Sequence, residues 1–150
     1  MIESIYLLLD SLYCSQLRDF LSGYNCQTES FTGANVYNEL GIGTLIILVL
    51  MLGAYYKVID PSENKRLKWG VTMLVSAVFS ALFSSFWAMR AETKGLIGQC
   101  LLKDDQGNSL ISFMDYVGLG ISNAIIIAVA FFAVSLVARY LSVNNRYIPF

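Results

Sequence analysis

The sequence predicts an all-α membrane protein with three transmembrane helices and an N-terminal amphipathic helix. Two observations carry that reading. Residues 69–87, WGVTMLVSAVFSALFSSFW, contain no charged residue and no histidine. As a helix they rise about 27 Å, close to the hydrocarbon thickness of a bilayer, and a tryptophan stands at each end, where an amphipathic ring prefers to lie. The chain as a whole is 56% hydrophobic and only 14% charged. A soluble domain of 150 residues has too little interior to hide that much apolar surface, whereas lipid removes the difficulty.

Taken in order, residues 1–24 predict the amphipathic helix. Ile2, Ile5, Leu9, Leu12, Leu17 and Leu21 recur at mixed three-, four- and five-residue intervals, with Glu3, Asp10, Arg18 and Asp19 between them, and Gly23 marks the end. The charges make it a poor spanning segment. It reads either as an interfacial helix or collar, or as a helix packed on the surface of the membrane domain. Glu3 and the short apolar run 6–9 do not make a secretory signal, so insertion is expected to rely on the spans themselves. Residues 22–38, rich in Gly, Ser, Thr and Asn, read as a loop. The first span is predicted over 37–59, with Asp60 and Pro61 as its stop and Tyr55 and Tyr56 as its interfacial belt. The short connection that follows makes the second span, 69–90, an antiparallel neighbour of the first. Residues 91–112 are mixed, with a turn at KDDQGNS. A third span is predicted over 115–139, anchored by Arg139 and Tyr140, and the tail reads as exposed. No repeat or low-complexity stretch divides the chain, which predicts one domain.

Orientation follows from Lys and Arg. The 57–69 loop and the tail side hold six (Lys57, Lys65, Arg66, Lys68, Arg139 and Arg146), against four (Arg18, Arg90, Lys94 and Lys103) on the other side. The expected arrangement is N-terminus outside and C-terminus cytoplasmic, in a bacterial inner membrane.

The side-chain inventory excludes several chemistries. There is no histidine, so a Cys/His zinc site and a Ser-His or Cys-His catalytic pair are excluded. A net charge of −1 without a basic stripe argues against nucleic acid. No catalytic, cofactor-binding or metal-ligating residues are assigned. Asp104 and Asp105, in a Gly/Asn turn, read as solvated, and Gly41 and Gly43 as backbone packing at a helix start.

Two small-residue faces remain. Thr72, Ser76, Ser80 and Ser84 recur every four residues, with Ala77 and Ala81 beside them, while Val71, Leu74, Val78, Phe79, Leu82 and Phe86 cover the bulky side. Small residues at this spacing let helix backbones approach closely; the competing role is a water-lined pore face. At about 100° per residue, a four-residue line drifts about 40° per step, which suits a helix crossing at an angle better than a straight pore. Buried serines can also bond the carbonyl one turn back. Gly120, Ala124 and Ala128 make a second ladder. Beside it lies Asn123, the one carboxamide well inside a predicted span, read as an interhelical hydrogen bond or as the lining of a permeation path. Cys14, Cys26 and Cys100 fall on the predicted outer side; Cys26 and Cys100 are the candidate disulfide, with three free thiols as the alternative.

Two faces of this kind exceed what one protomer is expected to bury, which predicts a homo-oligomer in membrane lipid. The function expected is a non-enzymatic channel or pore, or a triggered membrane-permeabilising effector. The alternative is a structural subunit or anchor of a larger cell-envelope complex, such as a secretion or transport machine, contacting other envelope proteins.

Overall fold

The structure, a computed structural model, describes residues 2–57, 64–104 and 106–141. In chain order it contains α1 (Ile2–Leu7), a 3-10 turn (Asp10–Leu12), α2 (Ser15–Leu21), α3 (Val36–Lys57), α4 (Lys65–Thr93), α5 (Gln99–Leu102) and α6 (Phe113–Leu141), and no named strand occurs among the described residues. The expected stop at Asp60 and Pro61, Asp105 and the tail beyond residue 141 lie outside the described residues, as do the side chains of Lys57, Arg139 and Tyr140.

Three helices are long and apolar enough to cross a membrane: Val36–Tyr56, Arg66–Thr93 and Phe113–Val137. They form an antiparallel bundle in which α4 and α6 share the most extensive interface and α3 packs against both. Their bulky residues point outward. Ile46, Leu50, Leu74, Phe79, Phe86 and Val129 are all exposed, the arrangement lipid requires. Close approach is set by glycine. A Cβ on Gly43 of α3 would strike the Phe83 ring of α4, and one on Gly120 of α6 would strike Ser85 Oγ. Trp69 does not simply float in an interfacial belt: its indole N–H donates to Ser135 Oγ at 3.0 Å, and its ring lies beside Phe131 and Phe132. Tyr55, expected in that belt, is 1% exposed.

The N-terminal segment departs from expectation. A single amphipathic helix over 1–24 is not what forms. After Leu7 the helix tightens into the 3-10 turn, Tyr13 and Cys14 become extended, and α2 starts afresh. The cause is tertiary. Cys14 N–H donates to Asp115 Oδ1 at 2.9 Å, and the Leu12 carbonyl lies so close to Gly118 that any Cβ there would overlap it. An unbroken helix could not place its backbone against α6 in this way. The broken one forms a wedge between α3 and α6. Asn35 Nδ2 donates to Glu3 near the start of α3, Ser122 Oγ reaches the Leu9 carbonyl at 3.4 Å, and Cys14 returns to Asp115. Thr44 and Asn123, the deepest levels the wedge reaches, are about 12 Å and about 15 Å along α3 and α6 from their first residues. Tyr6, Tyr13, Leu17, Phe20 and Leu21 are buried in the same core as Tyr37, Leu40, Ala88 and Leu119. Ile5, Leu7 and Leu8 stay exposed, Leu8 at 81%.

The loops at this end are tied down. Gly23 follows α2 with φ +86° and accepts from Gly33 N–H at 2.8 Å, while Asn25 pairs with Ser30. In the second loop the expected turn is closed by pairing of Lys103 with Ser109 around Gly107, φ +81°.

Candidate functional site

Polar side chains inside an apolar bundle are where chemistry or permeation would reside, since each must find a partner. Asn123 lies at the centre, fully buried. Its Oδ1 accepts from Tyr6 Oη at 2.5 Å and lies 3.0 Å from Thr44 Oγ1. Its Nδ2 donates to Ser80 Oγ at 2.8 Å and to the Ser80 carbonyl at 3.1 Å. A carboxamide has two donor hydrogens and two acceptor lone pairs, so this set occupies its whole capacity. One side chain on α6 thereby gathers α1, α3 and α4. The Thr44 hydroxyl carries one hydrogen and shares it with the Leu40 carbonyl at 2.8 Å. Above this node the Tyr13 and Tyr37 hydroxyls meet at 3.1 Å.

The residues of the Ser/Ala face are placed as follows. Thr72 is 5% exposed and Ser76, Ser80 and Ser84 are 0% exposed, while Ala77 and Ala81 are half-buried. Thr72, Ser76 and Ser84 donate to the carbonyls of Lys68, Thr72 and Ser80, one turn back on their own helix. Ser122 and Ser135 of α6 do the same to Gly118 and Phe131. These hydroxyls need no water to be satisfied. Gly120 of the second ladder rests on Ala81 and Ser85 of the first. The two small-residue faces thus meet at Gly120 within one chain, while Ala77, Ala81, Ala124 and Ala128 stay half-buried.

Cys26 and Cys100 are joined by a disulfide, Cα to Cα 6.0 Å, which links the loop after α2 to α5. Cys14 is free. Burial pushes its thiol pKa up, with the Leu17 backbone N–H acting against this and the neighbouring Asp115 charge with it. A thiol so placed is a poor nucleophile at neutral pH. The disulfide closes a sequence separation of 74 residues, and removing it with Cys26→Ser and Cys100→Ser should cost about 2–4 kcal/mol. The expected result is a lower unfolding temperature in detergent, matched in the wild type by added reductant. Recovery of both cysteines as free thiols from alkylated native membranes would remove the pairing altogether.

Gly118 belongs to the small residues that the third span offers, whereas Tyr6 and Thr44 are not singled out by the sequence. The available signal was Tyr6 and Tyr13, seven residues apart on the apolar side of a segment otherwise built from aliphatics. Hydroxyls there announce a buried acceptor without saying which one. Among the described residues no group of three or more His, Cys, Asp or Glu could hold a metal ion. The fold is that of a small helical protein with three helices of membrane-spanning character, compatible with an integral membrane protein. No protein-family model matches the chain, and no curated protein or solved structure matches it either.

Proposed function

We propose that this chain is a non-enzymatic structural subunit, an anchor within a larger cell-envelope complex, and does not itself conduct. One observation carries the reading: the hydrogen-bonding capacity of Asn123 is spent on Tyr6, Thr44 and Ser80. A residue lining a water path keeps part of its capacity for water or permeant. The serines of α4 support the same reading, since Ser76 and Ser84 are fully buried and bond their own backbone, and Ser80 accepts from Asn123. The disulfide-tied N-terminal end supplies a shaped surface for other envelope proteins. The test is reconstitution into liposomes loaded with a small dye and potassium. Release at the rate of protein-free vesicles is expected, and release that scales with protein would restore the channel reading. Such a channel would have to form between copies through a different face. The exposed row Ile42, Ile46, Val49 and Leu50 on α3, the least buried of the three spans, is the one that favours it.

The proposed setting is a bacterial inner membrane with the N-terminus outside. The six-to-four excess of Lys and Arg supports this orientation. So does the disulfide at the N-terminal end of the bundle, since disulfides persist on the oxidising side of a membrane. In a Cys14→Ser background, a cysteine at Asn64 should resist a membrane-impermeant maleimide in intact cells and react after lysis. Labelling in intact cells would reverse the orientation.

A further inference from the structure

We propose that the Cys26–Cys100 disulfide is a reducible clasp, which a dithiol opens in the folded protein to free the strap of residues 24–34 from α5 while the bundle stays whole. Residues 24–34 fold back on themselves. Asn25 pairs with Ser30, Thr28 Oγ1 meets Thr32 Oγ1 at 3.1 Å, and Gly33 N–H donates to the Gly23 carbonyl at 2.8 Å. Among the described residues, the hydrogen bonds of the strap all stay between Asp19 and Gly33. Of residues 27–34 all but Ser30 are exposed, and Tyr24 and Cys26 only border the core. The disulfide is thus what holds the strap across to α5. The chain on either side of it has other anchors. Phe20 and Leu21 before the strap, Val36 and Tyr37 after it, and Ile97 and Leu101 around Cys100 are all buried in one core. Breaking the S–S bond therefore removes a link between anchored parts and leaves each part its anchor.

The two sulfurs differ in access. Cys100 is exposed, Cys26 is half-buried, and Gly98 lies so close to Cys26 Sγ that a Cβ there would overlap it. Exposed disulfides are the labile kind. Attack falls on Cys100 Sγ. A thiolate of the dithiol bonds to that sulfur, the S–S bond breaks, and Cys26 leaves as a thiolate. The second thiolate of the dithiol then attacks the mixed disulfide and releases Cys100. Two electrons pass to the cysteine pair, the dithiol ends as a disulfide, and its two protons go to the two cysteines. Cys14 stays out of the exchange, because burial keeps its thiol protonated at neutral pH. What opens is a cleft of about 540 Å³. Tyr24 and Cys26 line it from the strap, Leu96 and Gly98 from the turn before α5, and Phe20 and Trp87 also border it.

The test is reduction of the full chain in detergent with dithiothreitol and no denaturant, followed by differential alkylation and hydrogen exchange. Cys26 and Cys100 should become alkylated together with no loss of helical circular dichroism. Exchange should quicken in residues 24–34, with protection lost at the Asn25 and Gly33 amides. It should stay unchanged in 15–21, in 97–102 and in the middles of the three spans. C26S with C100S should show the same pattern without reductant. When the monothiol glutathione replaces the dithiol, its adduct should form on Cys100, and an adduct on Cys26 would overturn the order of attack. Reduction that occurs only in denaturant, or unchanged exchange in 24–34 after reduction, would overturn the clasp. So would protection lost in 15–21 and 97–102 as well, which would make the bond a staple of that whole end of the bundle.

Discussion

Gly118→Val should release the N-terminal wedge from the bundle while leaving the three long helices in place. The reason is geometric. The atom facing the absent side chain is the Leu12 backbone carbonyl oxygen, with the Tyr13 amide behind it. A flexible side chain could swing away, but a backbone held on both sides cannot. Overpacking in a tight contact costs roughly 1–3 kcal/mol, and a backbone contact belongs at the upper end. Moving Leu12 outward also breaks the bonds on either side of it, from Ser122 to the Leu9 carbonyl and from Cys14 N–H to Asp115. Hydrogen exchange is the measurement. Amides of residues 2–14 should lose protection, whereas the middles of α4 and α6 should keep theirs. Gly118→Ala should do the same more weakly. Unchanged protection of residues 2–14 in the valine variant would show that the wedge does not rest on this contact.

Asn123→Leu should be the second severe change, for an electrostatic reason. Leucine is similar in size, so the loss is of hydrogen bonds and not of volume. Hydrogen bonds between helices in a membrane are worth about 0.6 kcal/mol on average, so four of them sum to about 2.4 kcal/mol. Stranding a buried hydroxyl adds about 1–3 kcal/mol, and Tyr6 is the group that loses most, since Thr44 keeps the Leu40 carbonyl while Tyr6 keeps only the neighbouring Thr44 hydroxyl. Tyr6→Phe combined with Asn123→Leu should therefore cost less than the sum of the single changes. Equilibrium unfolding in mixed micelles for the full cycle measures this. Strict additivity would mean that the two side chains act independently. Neither change should open a conductance, because the central node is a fastening and not a passage.

The spans were legible because each is a local property of composition. A run without charge, bounded by Trp, Tyr, Lys or Arg, needs no knowledge of the rest of the chain. The small side of α4 was legible for the same reason, but what it meets was not. Four-residue spacing states that a backbone comes close, and only the presence of Gly120 opposite Ala81 and Ser85 identifies that backbone as α6 of the same chain. Asn123 signalled a need for partners, and two of them, Ser80 and Thr44, lie on spans that could be drawn beforehand. The third, Tyr6, was hidden by the amphipathic pattern of residues 2–21. That pattern supports a continuous helix when read locally. The break at Tyr13 and Cys14 is imposed by Asp115 and Gly118, about a hundred residues away, and no window along the N-terminal segment contains them.

The wedge also sets a timetable for biogenesis. Tyr6 leaves the ribosome 117 residues ahead of its acceptor on α6. At 5–20 residues per second, that is a wait of roughly 6–23 s. During it α3 and α4 can enter the membrane and pair, since Gly43 and Phe83 are already present. The N-terminal arm can meet α3 and α5 earlier, but its contacts with Asn123, Gly118 and Asp115 wait for α6. The wedge, made before the three spans, is thus completed only after the last of them. A chain without α6 leaves the buried Tyr6 hydroxyl without its Asn123 acceptor and the Cys14 N–H without Asp115.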